Sequence, residues 1–456
     1  MKGKVILTTW LLFTITSLLT ALDHYSIVSI PEVVLFWLRW ITITGFFIYA
    51  VLKRNLTTSI LISMIVGIGI GHDFPELATN LSFLRRIFLQ MIKTIIAPLL
   101  FATLVAGIAG HSDLKQVGRM GWKSLVYFEV VTTFALIIGL FFANWLEPGL
   151  GLMPPEAFHE ELPKVAQQTW QEVIVHSFPE NIAKSVYEGQ VLQIVVFSVL
   201  FGISLAMLPR EKKMRFVGGI EILAEVMFKF TALVMLFAPI GVGAAIAETV
   251  GHMGIEVLKN LGMLLITLYL ALITFLILIL LPIALYCKIP VLKFAKNIAE
   301  PVSIAFATTS SESALPKAME KMEKFGVPRQ IVSFVMPTGY SFNLDGSTLY
   351  LALATIFVAQ ASGHDFPISQ QIAMVFLLML TSKGVAGIPR ATMVILLGAV
   401  ANFGMPEWPV LLIMGIDELM DMARTSVNVI GNCLATAVIG RWEGELDDEK
   451  MHAEIT

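Results

Sequence analysis

Residues Asp421-Met422-Ala423-Arg424-Thr425-Ser426-Val427-Asn428 sit between two greasy flanks, WPVLLIMGI at 408–416 and VIGNCLATAVIG at 429–440. A carboxylate, a guanidinium, two hydroxyls and an amide therefore fall inside a stretch that otherwise reads as membrane-buried. At the centre of a bilayer an Asp or Arg costs about 2.5–3.5 kcal/mol on insertion scales, so such groups persist only if they pair, line a wet cavity or hold a ligand. Asp421, Arg424 and Asn428 follow i, i+3, i+7 spacing and share one helical face, which Asp417 extends. Two readings stay open at this point: a structural Asp–Arg pair, or a site for a small zwitterion with an extra negative charge.

The rest of the chain agrees with a membrane setting. Of 456 residues, 56% are hydrophobic and 14% charged, against roughly 25% charged in soluble domains. The net charge of −3 says little about partners, and no basic tract points to nucleic acid. The two cysteines, Cys287 and Cys433, lie in apolar surroundings and predict free thiols rather than a disulfide framework. No small-residue cleavage site clearly follows the first apolar run.

Apolar runs of about 20 residues, enough to span, occur near 4–22, 31–52, 56–74, 84–109, 123–146, 192–208, 225–250 and 261–287. The run from 225 is long enough to tilt, and a polar, Pro-containing loop fills 147–191. Lys and Arg collect in alternate loops, including Lys2/Lys4, Lys53/Arg54 and Arg210–Arg215. By the positive-inside rule the N-terminus is cytoplasmic. Arg85 and Arg86 fall at an outer helix start, where snorkelling is the simple reading.

After 288 the pattern changes. Residues 299–325 have cytoplasmic-type Lys at both ends, Lys296 just before them and Lys317 to Lys324 at the far end, around a Thr308-Thr309-Ser310-Ser311 centre, which predicts a re-entrant hairpin (298–328) opening to the cytoplasm. Residues 331–360 cross outward but are interrupted at Ser341-Phe342-Asn343-Leu344-Asp345-Gly346-Ser347. A second hairpin (368–401) is broken at Ser382–Pro389, and 407–441 cross back, carrying the polar island. One unit thus appears twice, entering from opposite faces: a hairpin with a Ser/Gly-rich tip, then a span expected to be broken. Interrupted segments in inverted halves point to a transport site, and irregular backbone at membrane depth is tolerated only inside protein or along a cavity.

The first tip offers hydroxyls and a helix start, which favours anions; an ordinary Ser-rich loop is the plain alternative. Glu312 reads as a helix N-terminal charge. Asn343–Ser347 offers the oxygen ligands that hard cations want. Glu129, inside a span, reads either as a proton carrier or as a structural group. No HExxH, GxSxG, P-loop or CxxC is present, so no enzyme chemistry is predicted.

The motifs ATTSSESALP (307–316), PTGYSFNLDGSTLY (337–350), SKGVAGIP (382–389) and DELMDMARTSVNVIGN (417–432), in this order, resemble the dicarboxylate/amino acid:cation symporter family. The resemblance covers roughly 55 to 445 and leaves the first two spans outside. It implies an all-α polytopic membrane protein with inverted repeats, two re-entrant helical hairpins and two broken transmembrane helices, working as an elevator. The parts would be an extra N-terminal pair (1–54), the first six family spans (55–287), a transport core (288–441) and a cytoplasmic tail (442–456). It also implies a homotrimer in the cell (inner) membrane, among lipid, with both termini cytoplasmic.

Residue by residue, the resemblance gives Arg424 the substrate's side-chain carboxylate and Asp421 its amino group. Ser311, Ser347, Thr425 and Asn428 match further polar contacts; Ile388 and Thr392 match contacts of the outer gate. Relatives that carry C4-dicarboxylates lack an Asp at the position of Asp421, and neutral-amino-acid members lose the Arg. Thr309 stands where some members have another arginine. One cation site would use Gly339, Asn343 and Asn428, with Asn432 where the family has an aspartate. A second would use carbonyls of Ser341, Ser382, Lys383 and Val385. A third would use Asn343 and Asp345 with Thr132, but Phe128 and Val131 replace two oxygen donors there, and Leu344 replaces a usual Met. These departures are similar to bacterial members that use protons, alone or with sodium, and make Glu129 the candidate carrier. The expectation is an importer of L-glutamate and L-aspartate coupled to H⁺ and/or Na⁺, without cofactors. The alternatives are a C4-dicarboxylate carrier and a substrate-gated anion channel.

Overall fold

The computed structural model describes residues 2–24, 26–109, 114–152, 175, 178–187, 191–381 and 391–452. Every regular element among them is helical. The extra N-terminal pair is α1 (Lys2–His24) and α2 (Glu32–Lys53). Then come α3 (Leu56–Asp73), α4 (Pro75–Asn80), α5 (Ser82–Ala109), α6 (Leu114–Leu146), α7 (Ile182–Tyr187), α8 (Val191–Ala206), α9 (Arg210–Met235) and α10 (Ala238–Met253). α11 (Val257–Phe275) runs through a π turn at Leu276–Leu280 into α12 (Leu281–Tyr286). Six helices or helix pairs among the described residues are long and apolar enough to cross a membrane, or seven with the bent pair α9–α10.

That bend revises the expected single run at 225–250. α9 starts earlier, at Arg210, and the chain turns by 50° before α10. Pro239 sits in the first turn of α10. There its missing N–H costs little, while its ring blocks continuation of the preceding helix.

The first hairpin is α13 (Val291–Thr308) and α14 (Ser311–Lys324). Thr309 ends α13 in the left-handed region (φ 50°), and the Ser310 hydroxyl caps α14 by accepting from the Ser313 N–H at 3.3 Å. The outward crossing is broken as expected: α15 (Arg329–Phe342) and α16 (Asp345–Ala361) are separated by Asn343 and Leu344. The second hairpin has arms α17 (Ile368–Thr381) and α18 (Ala391–Asn402); its tip, with Ser382, Lys383, Val385 and Ile388, lies outside the described residues.

The final crossing corrects the expectation of a second broken span at 407–441. α19 runs unbroken from Trp408 to Glu443, 36 residues. Its polar groups satisfy one another without opening the backbone. Asp421 and Arg424 pair at i, i+3, and the hydroxyls of Ser426 and Thr436 donate to carbonyls one turn back. A short α20 (Asp448–His452) follows.

α16 is the centre of the molecule. Its residues are buried almost without exception, and 94% of the best apolar window of the α15–α16 crossing is inside protein. That satisfies the rule for interrupted backbone at membrane depth. α6, α11, α17, α18 and α19 pack against it, and α13, α14 and α15 pack against α19. A second group, α3, α5 and α8–α10, is held by close helix contact, with Gly67 and Gly71 of α3 against the α10 backbone. α1 and α2 attach to that group through α3, where Asp73 accepts from Arg39 at 2.6 Å and from the Trp40 indole at 2.9 Å. Arg85 does not snorkel: it is 4% exposed and bonded to Glu248 of α10. The pair spans 163 residues of sequence and joins α5 to α10. Cys287 and Cys433 are buried free thiols.

Candidate functional site

The polar island of α19 faces the break between α15 and α16. Arg424 is fully buried and holds two carboxylates at once. Its Nε donates to Asp421 Oδ1 at 2.9 Å and its Nη1 to Asp417 Oδ1 at 2.8 Å. The guanidinium also lies over the Tyr350 ring, 4.2 Å from the centroid. The Tyr350 hydroxyl donates to Asp417 at 3.3 Å, and Thr425 donates to Asp421 at 2.8 Å.

The Asp–Arg pairing weighed from sequence is thus present, and larger than expected. Asp417, noted only as an extension of the face, is the second partner of Arg424. Tyr350 was missed altogether: a lone aromatic in an apolar run carries no local signal. Removing one partner from a buried pair typically costs about 3–5 kcal/mol. A ligand can therefore reach Arg424 only by replacing what Asp417 or Asp421 now supplies. A carboxylate accepts from the guanidinium fork, and an ammonium donates to a released Asp.

A second network closes the helix break. Asn428 Oδ1 accepts from the Gly346 N–H at 2.8 Å and the Ser347 N–H at 3.2 Å, and its amide donates to the Ser347 hydroxyl at 2.9 Å. These N–H groups begin α16 and have no partner within the helix. A Cβ on Gly346 would stand 2.2 Å from the Arg424 carbonyl, so only glycine lets the two helices approach this closely. Asn432 donates to the Asn343 carbonyl at 3.1 Å and the Asn428 carbonyl at 2.9 Å. Asn343 donates to Asp345 at 3.3 Å, and its own N–H returns to the Gly339 carbonyl at 2.7 Å.

Asn343, Asp345, Asn428, Asn432, Gly339 and Ser347 are therefore brought together. The buried side-chain oxygens of Asn343 (Oδ1) and Thr132 (Oγ1) have no hydrogen-bond partner among the described residues. Together with Asp345, also buried, such oxygens have the chemistry of hard-cation ligands. Ser311 and Thr392 are buried but make no hydrogen bond into either network among the described residues. Ser341 lies on α15, two residues before the break. Glu129 lies on α6, half-buried, with its carbonyl accepting from Thr133. It sits between the buried face and the exposed stripe of Val126, Val130 and Phe134.

The model of the sodium:dicarboxylate symporter family matches residues 56–442. The chain belongs to that family. The match starts at α3, so α1 and α2 lie outside it. The chain is 42% identical over 410 residues to the proton/sodium-glutamate symport protein of Geobacillus stearothermophilus, covering 87% of this chain and 97% of the relative. It is 41% identical over 420 residues to the proton/glutamate-aspartate symporter of Escherichia coli K12, covering 88% and 96%. To the C4-dicarboxylate transport protein of Laribacter hongkongensis it is 38% identical over 413 residues, covering 89% and 93%. Relatives of both substrate names stand at similar distance, so the choice between them falls to the site.

Proposed function

We propose that this protein is a secondary active symporter that imports L-glutamate and L-aspartate, driven by H⁺, with Na⁺ as the second coupling ion to be tested. The observation that carries the reading is Arg424 held between Asp417 and Asp421 in a fully buried site. An acidic amino acid matches it in charge: the side-chain carboxylate takes the Arg424 fork and the ammonium takes Asp421. A C4-dicarboxylate would leave Asp421 facing a second carboxylate, an uncompensated buried repulsion. Thr425, Asn428, Ser347, Ser311, Thr392 and Ile388 are the further contacts of this reading, with the second hairpin as outer gate.

Charge also argues for a coupling cation. α16 and α19 bury the carboxylates Asp345, Asp417, Glu418 and Asp421. A net-negative substrate brings further negative charge into a buried site, which is costly unless a cation accompanies it. A proton or Na⁺ at the Asn343–Asp345 oxygens, with Gly339, Asn428, Asn432 and Thr132 around them, offsets it. The second-site carbonyls of Ser341, Ser382, Lys383 and Val385 complete the cation proposal. Asn432, an amide that already donates two hydrogen bonds, contributes no charge and so favours a proton over a full set of sodium ions. Glu129 is the proposed second proton carrier.

The packing of α6, α11 and α17–α19 on α16, and of α13–α15 on α19, supports an elevator in which that group moves against α3, α5 and α8–α10. The reading places the protein as a homotrimer in the cell membrane with both termini cytoplasmic. Proteoliposome uptake of labelled aspartate, glutamate and succinate under imposed H⁺ or Na⁺ gradients tests it. Aspartate uptake that follows the pH gradient is expected; succinate uptake without aspartate uptake would overturn it. Glu129→Gln is expected to lose proton-driven uptake while keeping exchange, and intact proton-driven uptake would remove Glu129 from the scheme.

A further inference from the structure

α9 has two unlike faces. Val217, Ile220 and Ala224 are buried and pack with Ala102, Val105 and Ala109 of α5. The opposite face begins with Lys212, Arg215 and Gly219 and continues through Ile222, Val226, Phe230 and Leu233. Spacings of three or four residues keep all of these on one side of the helix. Every one of them is exposed, Ile222 and Leu233 by 64% and 66%.

The order along this face is cations, a gap, then apolar side chains. Arg210 and Lys213 add to the basic turn, and Glu211 is the single acid among residues 210–219. Arg215 pairs with Glu211 at 2.8 Å, but both side chains are about four-fifths exposed, so the pair contributes little. Elsewhere basic side chains are taken up by acids from a second element: Lys123 by Glu443, Lys317 and Lys321 by Glu300, Arg441 by Asp448. The gap is made by Gly219 and its neighbour Gly218. Glycine inside a helix is unfavourable, and Gly67, Gly71, Gly139 and Gly241 each have a neighbour within 3 Å of where a Cβ would stand. A Cβ at Gly218 or Gly219 would meet nothing within 4 Å, so no packing among the described residues uses them.

The dimensions fit half a bilayer. From Ile222 to Leu233 the apolar part runs about 16 Å at 1.5 Å per residue, and one leaflet of hydrocarbon is about 15 Å deep, half of the roughly 30 Å core. Arg215 lies about 10 Å before Ile222, at headgroup depth. Glu225 and Lys229 stand on the flank of the face at i, i+4 spacing with opposite charges, and add no net charge to it.

We propose that this face of α9 holds an anionic phospholipid of the cytoplasmic leaflet. Its phosphate sits on Lys212 and Arg215, its glycerol at the Gly218–Gly219 gap, and an acyl chain along Ile222 to Leu233. The topology put forward above sets Arg210 on the cytoplasmic side, and Lys/Arg clusters beside a crossing attract anionic headgroups. A second copy of the chain is the competing occupant; presenting the same face, it would bring like cations together. The site is independent of which substrate or ion is carried.

Native mass spectrometry of the purified protein with phosphatidylglycerol and phosphatidylcholine tests it. The wild type is expected to retain phosphatidylglycerol in preference, less so as salt is raised. Lys212→Gln and Arg215→Gln should each weaken that retention by about fivefold. Lys324→Gln, the same charge change at another exposed position, should leave it unchanged. Gly219→Leu fills the gap. It is expected to lower phosphatidylglycerol retention while raising the unfolding temperature in detergent without lipid, since leucine is the better helix former. A purely structural role would move both readings the same way. Equal retention of the two lipids by the wild type overturns the site, as does an equal loss in Lys324→Gln or unchanged retention in the three α9 variants. An α9 variant that falls to a smaller oligomer with its lipid retained would give the face to a second copy and overturn the site as well.

Discussion

α15–α16 and α19 solve one problem in opposite ways. Both carry polar groups through a buried crossing. The first opens its backbone at Asn343–Leu344 and exposes the N–H groups of Gly346 and Ser347. The second keeps every turn of its helix and lets side chains neutralise one another, Arg424 against Asp417 and Asp421. The two are complementary, because the side chain that seals the break, Asn428, comes from the unbroken helix. Interrupted backbone supplies fixed dipoles, which suit a cation or the start of a helix. Paired side chains supply charges that can change partners, which suits a substrate that comes and goes.

The sharpest way to break this contrast is Arg424→Ala. It leaves Asp417 and Asp421 as two buried carboxylates without the guanidinium between them. We expect binding of acidic substrates to be abolished and stability to fall by about 3–5 kcal/mol, the usual loss when one member of a buried pair is removed. Equilibrium binding and thermal unfolding in detergent read both effects; unchanged affinity would remove Arg424 from the site. Asn428→Ala attacks the other side. It strands the Gly346 and Ser347 N–H groups and is expected to cost about 1–3 kcal/mol, with faster amide exchange at the start of α16. Normal protection there would mean that something else seals the break.

The smallest effect is expected outside the bundle. Asp447 accepts from the backbone N–H of Lys450 and of Glu449, and its own N–H donates to the Gly326 carbonyl, tying the tail to the turn after α14. The Lys450 backbone N–H, and then its side chain, hold the Asp447 carboxyl below the usual range. The folded tail therefore binds its proton more weakly than the frayed one. Its contribution is present above the unfolded value of about 3.9 and is lost as the pH falls through the lower, folded value. Exchange at the Glu449 and Lys450 amides should quicken over that acidic window and stay flat at neutral pH.

How much of this was legible in the sequence follows the same contrast. The break at Asn343–Ser347 was readable because Asn, Asp and Gly together in an apolar crossing have no local explanation except irregular backbone. The first hairpin was readable from Thr308–Ser311. α19 was misread as broken because a run of charges looks like an interruption. The i, i+3 and i, i+7 pairings that spare the backbone were in the spacing, but the spacing alone does not say that Arg424 takes both carboxylates at once. The α9–α10 bend was hidden inside a continuous apolar run, with Pro239 its only trace. Tyr350 under the guanidinium and Glu248 against Arg85 left no local pattern, since each partner lies far away in sequence.

The most direct test of the central claim is equilibrium binding of L-aspartate and succinate to the purified protein and to Asp421→Asn. The account predicts that aspartate binds the wild type far more tightly than succinate, and that the substitution removes most of that preference by taking away the ammonium's partner. Succinate binding as tightly as aspartate, or an Asp421→Asn protein with unchanged preference, would contradict it.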